Sequence, residues 1–124
     1  MEKGTETILL VEDDEAVRSL LLTVLQANGY TVLAANNAEE AVQICEEYDG
    51  ELDMLLTDVV MPKKSGPQLA EHIIKLRPNI RIVYMSGYTD DAIVHHGVLD
   101  PGTAFIEKPI VPSALLEKIR EFLA

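Results

Sequence analysis

Short apolar runs alternate with helical patterns along the whole 124-residue chain, and this alternation restricts the fold more than any other feature. Near-continuous apolar runs are typical of strands that are covered on both faces. The segments between them place apolar residues at helical spacing. Repeated strand and helix patterns predict a parallel sheet with helices on both sides. The sequence therefore predicts one α/β domain, a (βα)5 three-layer sandwich around a five-stranded parallel sheet.

The individual elements follow from the same pattern. Strands are predicted at residues 7–11, 30–35, 53–58, 80–86 and 104–107. Helices are predicted from Asp14 to before Gly29, over residues 38–48, from Ser65 or Gly66 to before Pro78, weakly over about residues 90–97, and from Pro112 onward. An Asp-Pro-Gly turn is expected at residues 100–102. Residues 1–6 are predicted to be a disordered lead-in to a domain at residues 7–124.

Each amphipathic helix has an apolar side that is expected to face the sheet. The predicted inward residues are Val17, Leu20, Leu21, Val24 and Leu25 in the first helix, Leu69, Ile73 and Leu76 in the third, and Leu115, Leu116, Ile119, Phe122 and Leu123 in the last. Cys45 falls on the apolar side of the second helix with Ala41 and Ile44. It is therefore interpreted as a core residue and not as a redox centre.

The composition excludes several classes of protein. A formal net charge of −11 argues against nucleic-acid binding, which depends on Lys and Arg at phosphates. A single cysteine cannot form a disulfide framework, which favours a reducing, cytoplasmic compartment. No apolar run approaches the roughly 20 residues that a membrane-spanning helix requires. No membrane span is therefore expected.

Polar residues collect directly after the predicted strands. Acids follow the first strand (Glu12, Asp13 and Asp14) and end the third (Asp58), and Ser86 and Lys108 follow the fourth and fifth. In open parallel sheets, ligands bind at this carboxyl edge. Carboxylates that lie this close need a raised pKa or a bound cation. Because all the ligands are oxygens and the site is shallow, Mg²⁺ (or Mn²⁺) is the expected cofactor.

With a divalent cation in place, these residues suit phosphoryl transfer. Asp58 is a candidate nucleophile that would become an aspartyl phosphate. Lys108 offers a compact positive charge, and Ser86 offers a hydrogen-bond donor to another phosphoryl oxygen. Asp14 is better interpreted as the N-cap of the first helix than as a metal ligand.

Four motifs in this order, "LLVEDD", "LLTDVVMP", "YMSG" and "FIEKP", resemble the receiver domain of two-component response regulators. Gly66, eight residues after Asp58, belongs to the same pattern. The resemblance covers essentially the whole chain. It implies a flavodoxin-like fold with strand order 2-1-3-4-5.

The resemblance also implies a role for each matching residue. Asp58 would accept a phosphoryl group from a phosphohistidine on a sensor histidine kinase or a histidine phosphotransfer domain. The metal would be held by Asp13 directly, by Glu12 through water, by Asp58 and by the backbone carbonyl of Val60. Ser86 and Phe105 match the switch hydroxyl and the switch aromatic residue. Lys108 matches the family lysine, with a cis bond to Pro109.

Phosphorylation would then change the surface formed by the fourth helix, the fifth strand and the fifth helix, and so change the downstream binding partner. A phosphorylation-dependent dimer is compatible with this family. Two positions that control phosphoryl lifetime correspond to Val60 and Tyr88, and neither offers a carboxylate or amide to orient a water. Slow self-dephosphorylation is therefore expected, and the domain is interpreted as a phosphoacceptor and not as an enzyme.

Alternatives remain open on the sequence alone. An aspartyl-phosphate type Mg²⁺-dependent phosphatase or phosphotransferase would also use an Asp, a Ser and a Lys, but such enzymes resemble a D-x-D pattern after the first strand. A flavodoxin would need a phosphate-binding loop where this chain has acids. His95 and His96 are interpreted as surface residues. The final segments are similar to receivers joined to hybrid sensor histidine kinases, so the domain is either such a receiver or a stand-alone one.

Overall fold

The computed structural model describes residues 5–59, 61, 64–86 and 104–123. Its strands are β1 (Thr7–Val11), β2 (Thr31–Ala35), β3 (Met54–Asp58), β4 (Arg81–Ser86) and β5 (Phe105–Glu107). Its helices are α1 (Glu15–Ala27), α2 (Ala38–Glu47), α3 (Gly66–Leu76) and α4 (Pro112–Leu123). The helix predicted over about residues 90–97 and the turn at residues 100–102 lie outside the described residues. The helix labelled α4 is the last one predicted from the sequence.

All five described strands form one parallel sheet in the order β2-β1-β3-β4-β5, which confirms the predicted fold. The register decides which side chains meet at the carboxyl edge. Val11 of β1 pairs with Thr57 of β3, so Glu12 and Asp58 lie side by side. Asp58 pairs with Met85 of β4, and the next residue is Ser86. The site residues are therefore neighbours because the strands that precede them are neighbours.

Two apolar layers lie on opposite faces of the sheet, as the three-layer prediction requires. One contains Leu9 and Val11 of β1 together with residues of α2 and α3. The other contains Ile8 and Leu10 together with residues of α1 and α4. Each fully buried leucine or isoleucine contributes about 1.5–3 kcal/mol of transfer free energy. Cys45 is buried in the first layer, as predicted.

Two leucines that were predicted to face the sheet are exposed instead. Leu20 of α1 has 44% of its surface exposed, and Leu76 of α3 has 40%. Leu20 lies about 100° around the helix from the buried Leu21, at the edge of the apolar stripe. Leu76 is the last residue of α3 and lies at the rim of a groove beside Leu123.

Side-chain caps begin three of the helices directly after the loops that follow the strands. Asp14 accepts a hydrogen bond from the Val17 backbone N–H at 3.1 Å, which confirms its predicted role as the N-cap of α1. Asn37 caps α2 in the same way. Ser65 and Gln68 form a reciprocal capping box at the start of α3. These caps fix where each loop ends.

The chain segment before β1 is attached to the domain at Glu6. Its carboxylate forms an ion pair with Arg120 of α4, and its backbone carbonyl accepts a hydrogen bond from Thr31 at 3.1 Å. The Arg120 hydrogen bond is the main cause that lowers the pKa of Glu6. The predicted lead-in at residues 1–6 stays a prediction, and its first four residues lie outside the described part of the chain.

Gly66 lies against the backbone of the residue that ends β3. Its N–H donates to the Val59 carbonyl at 2.8 Å. A Cβ atom at this position would lie 2.1 Å from the Asp58 carbonyl oxygen, far inside van der Waals contact. Because that contact is with backbone, no side-chain rotation relieves it. Glycine is therefore required where α3 begins beside the site.

We expect Gly66→Ala to lower the free energy of unfolding by about 2–3 kcal/mol, because β3 and α3 must separate to admit the methyl group. Urea denaturation monitored by far-UV circular dichroism measures the change. Gly50→Ala is the matched control: its Cβ would meet only the ring end of Tyr48, a side chain that can move. The control should change stability by less than about 1 kcal/mol. Equal losses in both variants would contradict the steric explanation.

Candidate functional site

Three acidic side chains meet at the carboxyl edge of the two central strands. Glu12 and Asp13 follow β1, and Asp58 ends β3. One carboxylate oxygen from each lies within 4.8 Å of the other two. Glu12 and Asp58 are only 1% and 4% exposed, whereas Asp13 is exposed to solvent. The predicted acidic cluster is therefore present, with two members buried and one open to solvent.

A single ammonium group bridges the two buried carboxylates. Lys108 Nζ lies 2.6 Å from Asp58 Oδ1 and 2.8 Å from Glu12 Oε2. The backbone positions this lysine as well: its N–H donates to the Ser86 carbonyl at 2.8 Å, and its bond to Pro109 is cis, as the resemblance implied. Glu12 Oε1 also accepts a hydrogen bond from the Asp14 backbone at 3.1 Å. The structure thus brings Glu12, Asp58 and Lys108 together as predicted.

The two buried carboxyls have opposite pKa shifts. Burial and the adjacent Glu12 raise the pKa of Asp58 to about 7, although Lys108 opposes the shift. Burial also disfavours ionised Glu12, but hydrogen bonds from Asp58, Lys108 and the Asp14 backbone outweigh it and lower the pKa of Glu12. Lys108 loses hydration too, yet its two carboxylate partners raise its pKa. Without a further cation, Glu12 and Asp58 therefore either hold one proton between them or, when both are ionised, repel each other.

The residues present fit a hard divalent cation. Asp58 Oδ2 is buried and has no hydrogen-bond partner within the described residues. A buried carboxylate oxygen in that condition is costly unless a proton or cation reaches it. The exposed Asp13 carboxylate offers a second oxygen on the solvent side. Oxygen ligands that leave room for waters suit Mg²⁺.

The switch candidates are only partly described. Ser86 ends β4 and is 5% exposed, and Phe105 of β5 is half-buried against the layer that contains Tyr84, its partner in the sheet. Val60 and Tyr88 lie outside the described residues, as do His95 and His96. No geometry is therefore assigned to the predicted carbonyl ligand or to the lifetime-tuning pair.

Sequence reasoning missed a buried hydroxyl beside Asp58. Thr57 is 0% exposed, and its single hydroxyl proton can be donated to either of two acceptors, the Asp58 carbonyl 3.2 Å from Oγ1 or Met61 Sδ 3.7 Å from it. These contacts join the end of β3 to the loop that follows it. A polar residue inside the otherwise apolar run "MLLTD" was the available signal. Thr57 was interpreted only as part of the strand.

Arg18 of α1 was also missed. Its Nη1 donates to the Glu12 carbonyl at 2.9 Å and lies 3.3 Å from Asn36 Oδ1. The side chain thus spans from the loop after β1 to the loop after β2. Sequence gives little warning of this contact, because a lone arginine at the side of an amphipathic helix is usually solvated.

A parallel 2-1-3-4-5 sheet with a lysine and three carboxylates at its carboxyl edge defines a phosphoacceptor type of α/β domain. Residues 8–120 match the response regulator receiver domain family. This match covers most of the chain, so the chain belongs to the receiver domain family. It is a phosphoacceptor signalling domain of two-component systems. Receiver domains bind Mg²⁺ through acidic residues.

Relatives agree with this assignment. The sensor kinase CckA of Brucella abortus is 40% identical over 120 residues, which is 97% of this chain but only 13% of that protein. The crystal structure of the receiver domain from the hybrid histidine kinase CckA has a TM-score of 0.80 and 36% identity, and the match covers 95% of this chain and 99% of that one. The chemotaxis protein CheY4 of Vibrio cholerae has a TM-score of 0.83 at 22% identity, and the match covers 96% of this chain and 99% of that one, which supports the fold alone.

The structure also contains no helix, within the ranges it describes, that has the length and hydrophobicity to span a membrane.

The raised pKa of Asp58 predicts a stability difference that depends on pH. A carboxyl whose pKa is higher in the folded than in the unfolded chain stabilises the fold while protonated and loses that contribution as pH rises. This contribution is lost between pH 3.8, the ordinary pKa of an aspartic acid, and about pH 7, the pKa of Asp58 in the folded chain. Without divalent cations, Asp58→Asn should therefore be more stable than wild type by about 2–4 kcal/mol at pH 8, and the difference should close toward pH 4.

Urea denaturation at several pH values measures this difference. Asp49→Asn, in the exposed loop after α2, removes the same charge away from the cluster and serves as the control. Added Mg²⁺ at pH 8 should narrow the gap by stabilising the wild type. A difference between Asp58→Asn and wild type that does not vary with pH would contradict the assignment.

Proposed function

We propose that Asp58 accepts a phosphoryl group from a phosphohistidine on a sensor histidine kinase or histidine phosphotransfer domain. The observation that supports this best is the difference between the contacts of the two Asp58 carboxylate oxygens. One of its oxygens is held by Lys108, while the other is buried without a partner among the described residues. A carboxylate that an ammonium group holds in place, with one oxygen available to a cation, is a suitable nucleophile toward phosphorus.

In the proposed step, an oxygen of ionised Asp58 forms a bond to phosphorus as the bond from phosphorus to the donor imidazole nitrogen breaks. The electron pair of that bond leaves with the imidazole, and the product is an aspartyl phosphate. Lys108 lies 2.6 Å from Asp58 and can hold a phosphoryl oxygen after transfer. Ser86, at the end of the adjacent strand, is the proposed donor to a second phosphoryl oxygen.

The proposed metal ligands are Asp13, Asp58 and the Val60 carbonyl, with Glu12 acting through water. When bound, Mg²⁺ or Mn²⁺ supplies charge neutralisation for the phosphoryl oxygens. The exposed position of Asp13 and the burial of Glu12 support the division between a direct and an indirect ligand. Glu12 is already held by Lys108 and the Asp14 backbone, so coordination through a water would leave both of these hydrogen bonds in place.

The proposed switch joins Ser86 to Phe105. Ser86 would move toward the phosphoryl group, and the ring of Phe105 would turn inward. Phe105 is half-buried against an apolar layer, so inward rotation would increase its burial. The output would be a changed surface around β5, α4 and the segment before β5, read by a downstream protein or a second copy of the domain. Phosphorylation would shift this equilibrium by its differential affinity for the two states.

The proposed setting is the receiver of a hybrid sensor histidine kinase in the cytoplasm. The similarity to CckA along nearly the whole chain supports the first part. The single, unpaired cysteine supports a reducing compartment. We propose no independent turnover of phosphomonoesters, and no observation favours a phosphatase.

Incubation with a small-molecule phosphodonor and Mg²⁺ should add one phosphoryl group to the wild type and none to Asp58→Asn. Intact-protein mass spectrometry and lability of the label to base measure the modification. Asp14→Asn is the matched control, because asparagine keeps the N-cap of α1 while the same charge is removed. Labelling of Asp58→Asn at the wild-type level would contradict the assignment of the acceptor.

Self-dephosphorylation should be slow, because neither Val60 nor Tyr88 offers a carboxylate or amide to orient a hydrolytic water. The half-life of the phosphorylated protein in Mg²⁺ should be much longer than seconds. Val60→Asn introduces an amide at that position and should shorten the half-life. Phosphate release after removal of the donor measures both rates. A half-life of only seconds for the wild type would contradict the prediction.

A further inference from the structure

Both peptide units that flank Asp13 are held by side chains. The unit between Glu12 and Asp13 contains the carbonyl that accepts from Arg18 Nη1 at 2.9 Å. The unit between Asp13 and Asp14 contains the N–H that donates to Glu12 Oε1 at 3.1 Å. The Glu12 N–H in turn donates to the Ala35 carbonyl of β2 at 3.2 Å. The orientation of the exposed Asp13 carboxylate is therefore set by the restrained backbone on both sides of it and not by packing around the side chain.

The guanidinium group of Arg18 has a second contact, on the side of β2. The same Nη1 lies 3.3 Å from Asn36 Oδ1, and the Asn36 N–H donates to Glu40 in the first turn of α2. Asn36 and Asp13 line the same groove of about 650 Å³ beside the acidic cluster. The half-buried guanidinium thus braces the loop after β1 against the loop after β2.

We propose that Arg18 is a positioning residue for the divalent cation: it fixes the peptide between Glu12 and Asp13 and so orients the Asp13 carboxylate. This inference rests on the proposed metal site. Residues that orient metal ligands from outside the coordination shell affect metal affinity strongly, by about 10- to 100-fold in known sites. Arg18 acts here through a backbone carbonyl, so the lower end of that range applies.

The charge of Arg18, taken alone, predicts the opposite effect on metal affinity. A guanidinium beside a divalent-cation site repels the cation, so loss of its charge alone would strengthen metal binding. Loss of positioning would weaken it. The sign of the change in affinity therefore distinguishes a positioning role from a purely electrostatic one.

Mn²⁺ binding to the unphosphorylated protein, followed by the electron paramagnetic resonance signal of free Mn²⁺, tests the inference without any turnover. Arg18→Met keeps the apolar stem but removes the donors, and we expect about tenfold weaker binding. Arg81→Met removes the same group from an exposed position at the opposite edge of the sheet and should leave the affinity unchanged. Arg18→Lys keeps the charge without the planar fork and should also weaken binding.

Affinity equal to or higher than wild type in Arg18→Met would overturn the inference. If that variant does not fold by circular dichroism, Arg18→Lys decides, and wild-type affinity in Arg18→Lys would overturn it. Asp13→Asn distinguishes a failure of the proposed metal site from a failure of the proposed role of Arg18. If Asp13→Asn binds Mn²⁺ as well as wild type does, the proposed metal site itself fails and the role of Arg18 fails with it; if only the Arg18 variants match wild type, the metal site stands.

Discussion

The contact of one ammonium with two buried carboxylates is the interaction on which the rest of the site depends. Lys108 lies within 2.8 Å of both Glu12 and Asp58, each almost completely buried. Two carboxylates in such a position are strongly disfavoured without a cation, and a single lysine neutralises only one of them. Burial, together with the nearby Glu12, is why Asp58 has a raised pKa. The remaining charge and the buried Asp58 oxygen that lacks a partner among the described residues are why a divalent cation fits beside it.

The apolar strands make this unfavourable arrangement possible. Every residue of β3 is buried, and β1 on one side and β4 on the other hold it in register. Such a strand cannot shift to separate the charges without exposing its core on both faces. Thr57 and Gly66 extend the restraint past the strand, since the Thr57 hydroxyl lies within hydrogen-bond distance of the Asp58 carbonyl and the Gly66 N–H donates to the Val59 carbonyl. The fold therefore supplies the free energy that keeps two acids together, and the site remains ready for a cation and a phosphoryl group.

Sequence could predict the parts of this molecule that follow from periodicity and from strand ends. The cap at Asp14 and the burial of Cys45 follow from local patterns and were confirmed. The strand order was implied by the family resemblance, and it was also confirmed. The prediction that Leu20 faces the sheet was wrong, because the sequence does not show how far around the helix the buried side extends. Long side chains were beyond reach for another reason. In the sequence, Arg18 and Arg77 look like ordinary helix-surface cations. Arg77 nevertheless donates to the carbonyl of Cys45 near the end of α2 and to those of Tyr48 and Gly50 just after it, because only the three-dimensional fold brings those acceptors within reach.

Charge also explains why phosphorylation of Asp58 would have to move other residues. An ionised Asp58 has one negative charge, whereas the proposed aspartyl phosphate carries about −1.5 to −2 in total and has more acceptor oxygens. Lys108 is already shared with Glu12, so it cannot match the added charge alone. The metal and a hydroxyl donor must supply the remainder, and Ser86 ends the strand that pairs with β3. In the proposed switch, Phe105 would respond to this movement because β5 pairs with β4 along the same edge. The proposed switch would therefore be a consequence of insufficient positive charge around a phosphorylated Asp58, transmitted through two adjacent strands.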